Sequence, residues 1–314
     1  MLFRSTLTSP GITTFDVTNP TTTDNLSVNN VTATGGNNLA LSITNTNATA
    51  TASNATVYVV NTNAGAASIT NNVGILTLDG TTGLITSGAA TLFASGQLNV
   101  NGDITSTGAS LTGTGLSQAA TSAVNAGAGT ILVEAGTGAA SLSGSLTTSN
   151  TTATAIQVNA DSGITQVAGG TISATGAGGG VITLDGGAGA IAQNGSITNT
   201  LGTAATGICI TGTGFTQKTL VTDVGSIDGG ASGVLIEAGT GSASLSGSVT
   251  TSNTTAVRAS MRMPFEKTSR CPRLVSCFGM KLSPAWKLAR RGKSAKLVLA
   301  ASTRMSTVPA CSAA

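Results

Sequence analysis

The chain has 314 residues, 42 of them Gly, with 8% charged and 3% aromatic side chains and no His. That composition excludes histidine-based acid–base chemistry and leaves few large rings for a compact core. The formal net charge of +3 conceals two halves of opposite sign. Residues 1–256 carry ten acids against Arg4 and Lys218, whereas residues 257–314 carry twelve bases against Glu266. The acidic balance of the first region argues against nucleic-acid or membrane-surface binding there.

At the N-terminus, MLFRSTLTSPGITTF holds one Arg and no apolar h-region, so it does not read as a secretory leader. No later run is apolar enough over a bilayer's width to span a membrane. Residues 41–48 and 57–64, LSITNTNA and VYVVNTNA, share an Asn-Thr-Asn-Ala turn 16 residues apart. Further on, an apolar strand followed by an acid and glycines recurs as LTLDGTTG (76–83), LVEAGTG (132–138), ITLDGGAG (182–189) and LIEAGTG (235–241). Between turns the apolar residues alternate, as in Leu76/Leu78, Leu98/Val100 and Ile182/Leu184, which is the period of a β-strand.

A longer period overlies these turns. Leu-Asp-Gly at 78–80 returns at 184–186, Asn-Gly-x-Ile-Thr at 101–105 returns at 194–198, and x-Thr-Gly-Thr-Gly-x-x-Gln at 111–118 returns at 210–217. Residues 132–153 and 235–256 then match at 19 of 22 positions, 103 residues apart. A unit of about a hundred residues has been duplicated. Short alternating strands, Gly/Asn/Asp turns and self-similarity predict a parallel β-helix, an all-β solenoid spanning residues 1–256. Two or three coils per interval give about 17–26 residues each, and roughly a dozen coils stack to about 60 Å. Val, Ile, Leu and Ala are expected inside, with Thr, Ser and Asn ladders outside. An array of immunoglobulin-like sandwiches is the weaker expectation, because residues 1–256 contain no Trp and one Tyr.

The candidate chemistry reads as structure. Asp79, Glu134, Asp185 and Glu237 recur at what looks like one turn of successive modules, so stacking strings them along the axis. Glycosidic cleavage wants two carboxyls within about 5–10 Å. Asp223 and Asp228 stand in a Gly-rich loop without the spacing of a calcium loop. Gly136, Gly138, Gly176, Gly178, Gly179 and Gly180 are turn glycines, since no Gly-Lys-Ser/Thr follows them. Gly292-Lys293-Ser294 lacks the leading glycine of a phosphate loop, Lys287 standing in its place. The Thr-rich runs Thr147–Thr154 and Thr250–Thr255 are too irregular for a flat threonine face. The Asn-x-Ser/Thr sites at Asn25, Asn30, Asn47, Asn54, Asn150, Asn194 and Asn253 are expected by chance in so Ser/Thr-rich a chain. No catalytic, cofactor-binding or metal-binding residue is assigned and no cofactor is implied. Cys209 has no partner within residues 1–256, which excludes a disulfide scaffold there.

Residues 257–314 form a second region, expected to be a largely unstructured basic tail outside the solenoid. Trp286, Phe265 and Phe278 among Lys and Arg suggest nucleic-acid binding, but another origin fits better. Read in a shifted frame, the codons for Val257–Pro264 permit Thr, Ile and Asn and force an Ala where the first copy has Thr154, Ile156, Asn159 and Ala160. The tail is therefore expected to be a frameshift product, its helix-like stretch Ala285–Ala301 accidental.

The LDGTTG, VEAGTG and NGSIT turns and the Thr/Ser/Asn/Gly composition of residues 1–256 resemble the strand repeats of filamentous-haemagglutinin-type adhesins and autotransporter passengers. That resemblance implies a right-handed β-helical rod, extracellular at a bacterial surface, and an internal fragment of a longer parent. It implies a non-enzymatic stalk that contacts glycans or proteins of host or neighbouring cells. A polysaccharide lyase or hydrolase on a β-helix is the alternative, and end-to-end self-association is expected where terminal coils expose strand edges.

Overall fold

The computed structural model describes the backbone of strands Leu2–Arg4, Thr13–Asn19, Leu26–Asn29, Val31–Ala33, Leu39–Asn45 and Ser260–Arg262. It also describes residues 54–252 apart from 58–59, 63–64, 81–82, 153, 178–179, 201–206 and 218–224, with side chains at 54–57 and from 65 onward. Every described element is a β-strand, and every described strand pair is parallel, from Leu2–Arg4 on Leu26–Asn29 to Ser260–Arg262 on Val234–Glu237.

The strands form three sheets of eleven, ten and eleven strands. One rung shows the plan. Leu98–Val100 lies in the first sheet, Ile104–Thr105 in the second and Ala109–Thr112 in the third. The connections are Asn-Gly-Asp (101–103), Ser-Thr-Gly (106–108) and Gly-Thr-Gly (113–115). Three-residue turns rich in Gly and Asn bend the chain sharply enough to bring each strand over its predecessor one rung below. The chain is thus an all-β parallel solenoid, as its alternation and turns predict. Ten steps of about 4.8 Å make a stack on the order of 50 Å.

Coil length varies. Leu98 pairs with Leu116, 18 residues on, and Leu26 with Ala55, 29 on, a wider range than the expected 17–26. The 51- and 52-residue intervals each contain two rungs, because Glu134 is in register with Asn159, Asp185, Thr211 and Glu237 in succession. The long duplication is therefore a four-rung unit. Its landmarks agree: Gln118 reaches Gln217 through Leu142, Gln166 and Gln193, again four rungs. The Leu-Asp-Gly pair does not belong to it. Leu78 lies in the first sheet and Leu184 in the third; variable coil lengths let a 106-residue offset land on a different corner.

The interior is a set of columns. One runs Leu76, Leu98, Leu116, Ala140, Ile164, Ile191, Phe215 up the first sheet, all with exposures of 2% or less. Another runs Leu84, Ile104, Val124, Leu146, Ile172, Ile197, Ile227 up the second. Each buried Leu or Ile contributes on the order of 1.5–3 kcal/mol of transfer free energy. No rung could bury its apolar face alone, since its upper and lower surfaces are completed by its neighbours. One register shift interrupts the third sheet between Thr154 and Ile156, where Ala155 is fully buried beside Ile156.

The interior is not purely apolar, contrary to expectation. Gln118, Gln166, Gln193 and Gln217 are buried in the first sheet. Gln118 Nε2 donates to the carbonyls of Ser122 and Ser145, and Gln166 Nε2 to those of Gly170 and Ser196. Each amide therefore ties the corner of its own rung to the next rung. Gln217 repeats this with Gly225 and Ser248 at 3.1 and 3.3 Å. Each inner-corner carbonyl also accepts a main-chain amide of the next rung, Ser145 N on Ser122 O, Ser196 N on Gly170 O and Ser248 N on Gly225 O, so the glutamine adds a second donor where the ladder already supplies one.

Residues 1–256 do not exhaust the ladder. Ser260–Arg262 adds a strand to the third sheet, on Leu235, Ile236 and Glu237. The remainder of the basic tail, with Phe265, Phe278, Trp286 and Gly292-Lys293-Ser294, lies outside the described residues.

Candidate functional site

Three of the four repeat acids share one outer column. Glu134, Asp185 and Glu237 end strands of the third sheet, separated by Asn159 and Thr211. Two rungs part each acid from the next, about 10 Å along the axis. Asn159 Nδ2 donates to Glu134 Oε1 at 2.7 Å, so an amide fills the gap between carboxylates. Asp79 does not join them. It follows Leu76–Leu78 in the first sheet, which corrects the expectation of one common turn for all four.

Two of these acids, and Asp228 besides, hold their own turns. Asp79 Oδ1 accepts from Gly80 N at 2.8 Å, Asp185 Oδ1 from Gly187 N at 2.9 Å and Asp228 Oδ1 from Gly230 N at 3.0 Å. A short acidic side chain that caps the amide one or two residues on is the device that lets Asp start a tight turn. Asp223 lies outside the described residues.

The glycines have a steric reason. Gly136 and Gly239, at matching positions of the duplicated segment, have φ of +51° and +52°, where a side chain would be strained. At Gly138 and Gly241 a Cβ would overlap the carbonyl oxygens of Thr114 and Thr213 in the rung below. Gly176 and Gly180 are hemmed in similarly by Asn150 and Ala155. Gly178 and Gly179 are outside the described residues.

The threonine runs are turned partly inward. Thr148 is 2% exposed, and its hydroxyl donates to the carbonyls of Gly127 and Gly129 at 3.0 and 2.6 Å. Thr251 does the same for Gly230 and Ser232 at 3.2 and 2.6 Å. Among the glycan-type sites, Asn150 is 4% exposed with its amide donating to Thr130 Oγ1 and Thr154 O. Cys209 is 1% exposed, within a strand of the third sheet.

One recess is lined by two carboxylates. At the corner between the first and second sheets, a hollow of about 340 Å³ is lined by Asp79, Gly80, Asn101, Asp103, Ala119 and Thr121. Asp103 already accepts from Ala123 N at 2.8 Å. Sequence reasoning overlooked Asp103 because it belongs to the Asn-Gly-x-Ile-Thr turn rather than to the acid-glycine turns. Among the described residues no group of three or more His, Cys, Asp or Glu is placed to hold a metal ion. No protein family, curated protein or solved structure matches the chain.

Proposed function

We propose that this chain is a structural spacer, the repeat region of a secreted bacterial surface adhesin. Its work is reach and repeated weak contact with glycans or proteins of host or neighbouring cells. The observation that carries the reading is the continuous three-sheet ladder, with rung stacked on rung from Leu2–Arg4 to Ser260–Arg262. A ladder whose acids hold turns and whose glycines fit against the rung beneath spends its polar residues on stacking. Its outer columns of Thr, Ser, Asn and spaced carboxylates offer hydrogen bonds at a regular pitch, which suits polyvalent rather than single-site binding. Among the described residues no helix is long and apolar enough to cross a membrane.

The test is binding of the purified chain to an array of cell-surface glycans and to intact cells. Weak, saturable, multivalent retention is expected; absence of binding to every surface sinks the adhesin reading.

A polysaccharide-acting enzyme is the second reading, favoured by the recess that Asp79 and Asp103 line. Acidic polysaccharides incubated with the chain would then be depolymerised, and Asp103→Asn would abolish the activity. No depolymerisation is expected.

A further inference from the structure

The two copies of the duplicated segment meet different surroundings. In the first copy, Ala140–Leu142 and Ser145–Thr148 are covered by the next rung, Ile164–Gln166 and Thr171–Ala174. In the second copy, Ala243–Leu245 and Ser248–Thr250 are the last strands of their sheets among the described residues. Ala140, Leu142 and Leu146 are buried, whereas Ala243, Leu245 and Val249 are only partly so. Only the third sheet is continued, by Ser260–Arg262, which takes the place that Gln157–Asn159 holds in the first copy.

We propose that the edges Ala243–Leu245 and Ser248–Thr250, the last of their sheets among the described residues, form a docking shelf for one further rung. The partner is a polypeptide segment with the pattern of residues 161–175, two short strands with Ile and Gln, then Ile and Ala, pointing inward.

The shelf is already shaped. Gln217 beneath it holds Ser248 O as Gln118 holds Ser145 O. Thr251 and Ser252 bind Gly230 O as Thr148 and Ser149 bind Gly127 O. In the first copy the covering rung is sewn on by Ala140 N to Gly163 O, Val167 N to Leu142 O and Thr171 N to Gly144 O, at 3.0, 2.9 and 3.0 Å. The atoms at matching positions are Ala243 N, Leu245 O and Gly247 O, above which no described strand lies. Strand addition to a sheet edge draws affinity from such main-chain bonds and specificity from alternate side chains. Here Ala243, Leu245 and Val249 present the inward row that Ile, Gln and Ile of the added rung complete. The chemistry of the occupant is thus written in the chain's own first copy.

The test is a fluorescence-anisotropy titration of the full chain against a labelled synthetic peptide of residues 161–175. Saturable one-to-one binding is expected, with a scrambled peptide weaker by about tenfold or more. Hydrogen exchange should show new protection at residues 243–250 and no change at 140–148. Val249→Asp should abolish binding without altering exchange at 140–148, so that loss of binding is separable from loss of fold. A peptide carrying Ile164→Asp and Ile172→Asp should fail in the same way. Equal binding of the scrambled peptide, or no new protection at 243–250, overturns the proposal. Sedimentation closes the remaining route: if copies stack end to end and exclude the peptide, the shelf belongs to a second copy and the proposed partner is wrong.

Discussion

Residues 132–153 and 235–256 are almost the same sequence, yet among the described residues one is interior and the other ends two of the three sheets. Their lower surfaces are alike. Leu132, Val133 and Glu134 rest on Ser110, Leu111 and Thr112, and Leu235, Ile236 and Glu237 on Cys209, Ile210 and Thr211. Their upper surfaces differ, and Leu142 at 1% exposure becomes the partly buried Leu245. Sequence therefore decides the shape of a rung, while burial is decided by the neighbour it happens to have. In a solenoid, stability belongs to interfaces as much as to repeats.

The sharpest way to break that comparison is to truncate the matched leucines. Leu142→Ala should lower stability by about 2–5 kcal/mol, because it opens a cavity between two rungs that cannot collapse. Leu245→Ala should cost less than half as much, since Leu245 is only partly buried and no described rung covers its upper side. Urea unfolding followed by far-UV circular dichroism reads both. Equal losses would mean that the end rung is as well enclosed as the interior one.

Gln166→Ala attacks the polar part of the same column. It removes two hydrogen bonds, one to Gly170 O, which keeps Ser196 N as a donor, and one to Ser196 O; at about 0.5–1.5 kcal/mol for each bond, a loss of about 1–3 kcal/mol is expected. Hydrogen exchange should locate the damage at residues 167–171 and 195–197. Gln166→Leu keeps volume but not the donor, so a neutral result there would show that the main-chain donor Ser196 N suffices for Gly170 O.

How far such a column can be read from sequence follows from these residues. The alternation of Leu76/Leu78 and Leu98/Val100 and the glycine turns announced strands and corners, because side-chain period and turn chemistry are local. The partners of each strand were harder to see. Coils of 18 and 29 residues put equal sequence offsets on different corners, as Asp79 and Asp185 show. The glutamines were hidden by the rule that polar residues in an alternating strand point outward. A signal was nevertheless present: Leu116-Ser-Gln118, Ile164-Thr-Gln166, Ile191-Ala-Gln193 and Phe215-Thr-Gln217 place Gln two residues after an inward apolar residue, on the same face of the strand. Asp103 was missed because the recess it shares with Asp79 joins turns of successive rungs.

Turn glycines sharpen the comparison from below. Gly138→Ala and Gly241→Ala each push a Cβ against a threonine carbonyl in the rung beneath, a neighbour that both copies possess. Each should cost about 1–3 kcal/mol in backbone displacement, and the two losses should agree, unlike those of the leucine pair. Thermal unfolding of the two variants side by side checks this, and a milder effect at Gly241 would show that the end rung yields even toward its covered side.

The smallest effect is expected on the outer face. Glu134→Gln removes a charge but leaves an oxygen to accept from Asn159 Nδ2. Acids on this column are two rungs apart, so their mutual repulsion through water is weak and screened at physiological salt. The change in stability should stay within about 0.5 kcal/mol and should not grow when salt is lowered. Urea titrations at low and high salt measure it. A marked gain in stability at low salt would mean that the carboxylate column is strained by its own charge, and that the spacing set by Asn159 and Thr211 is not enough to relieve it.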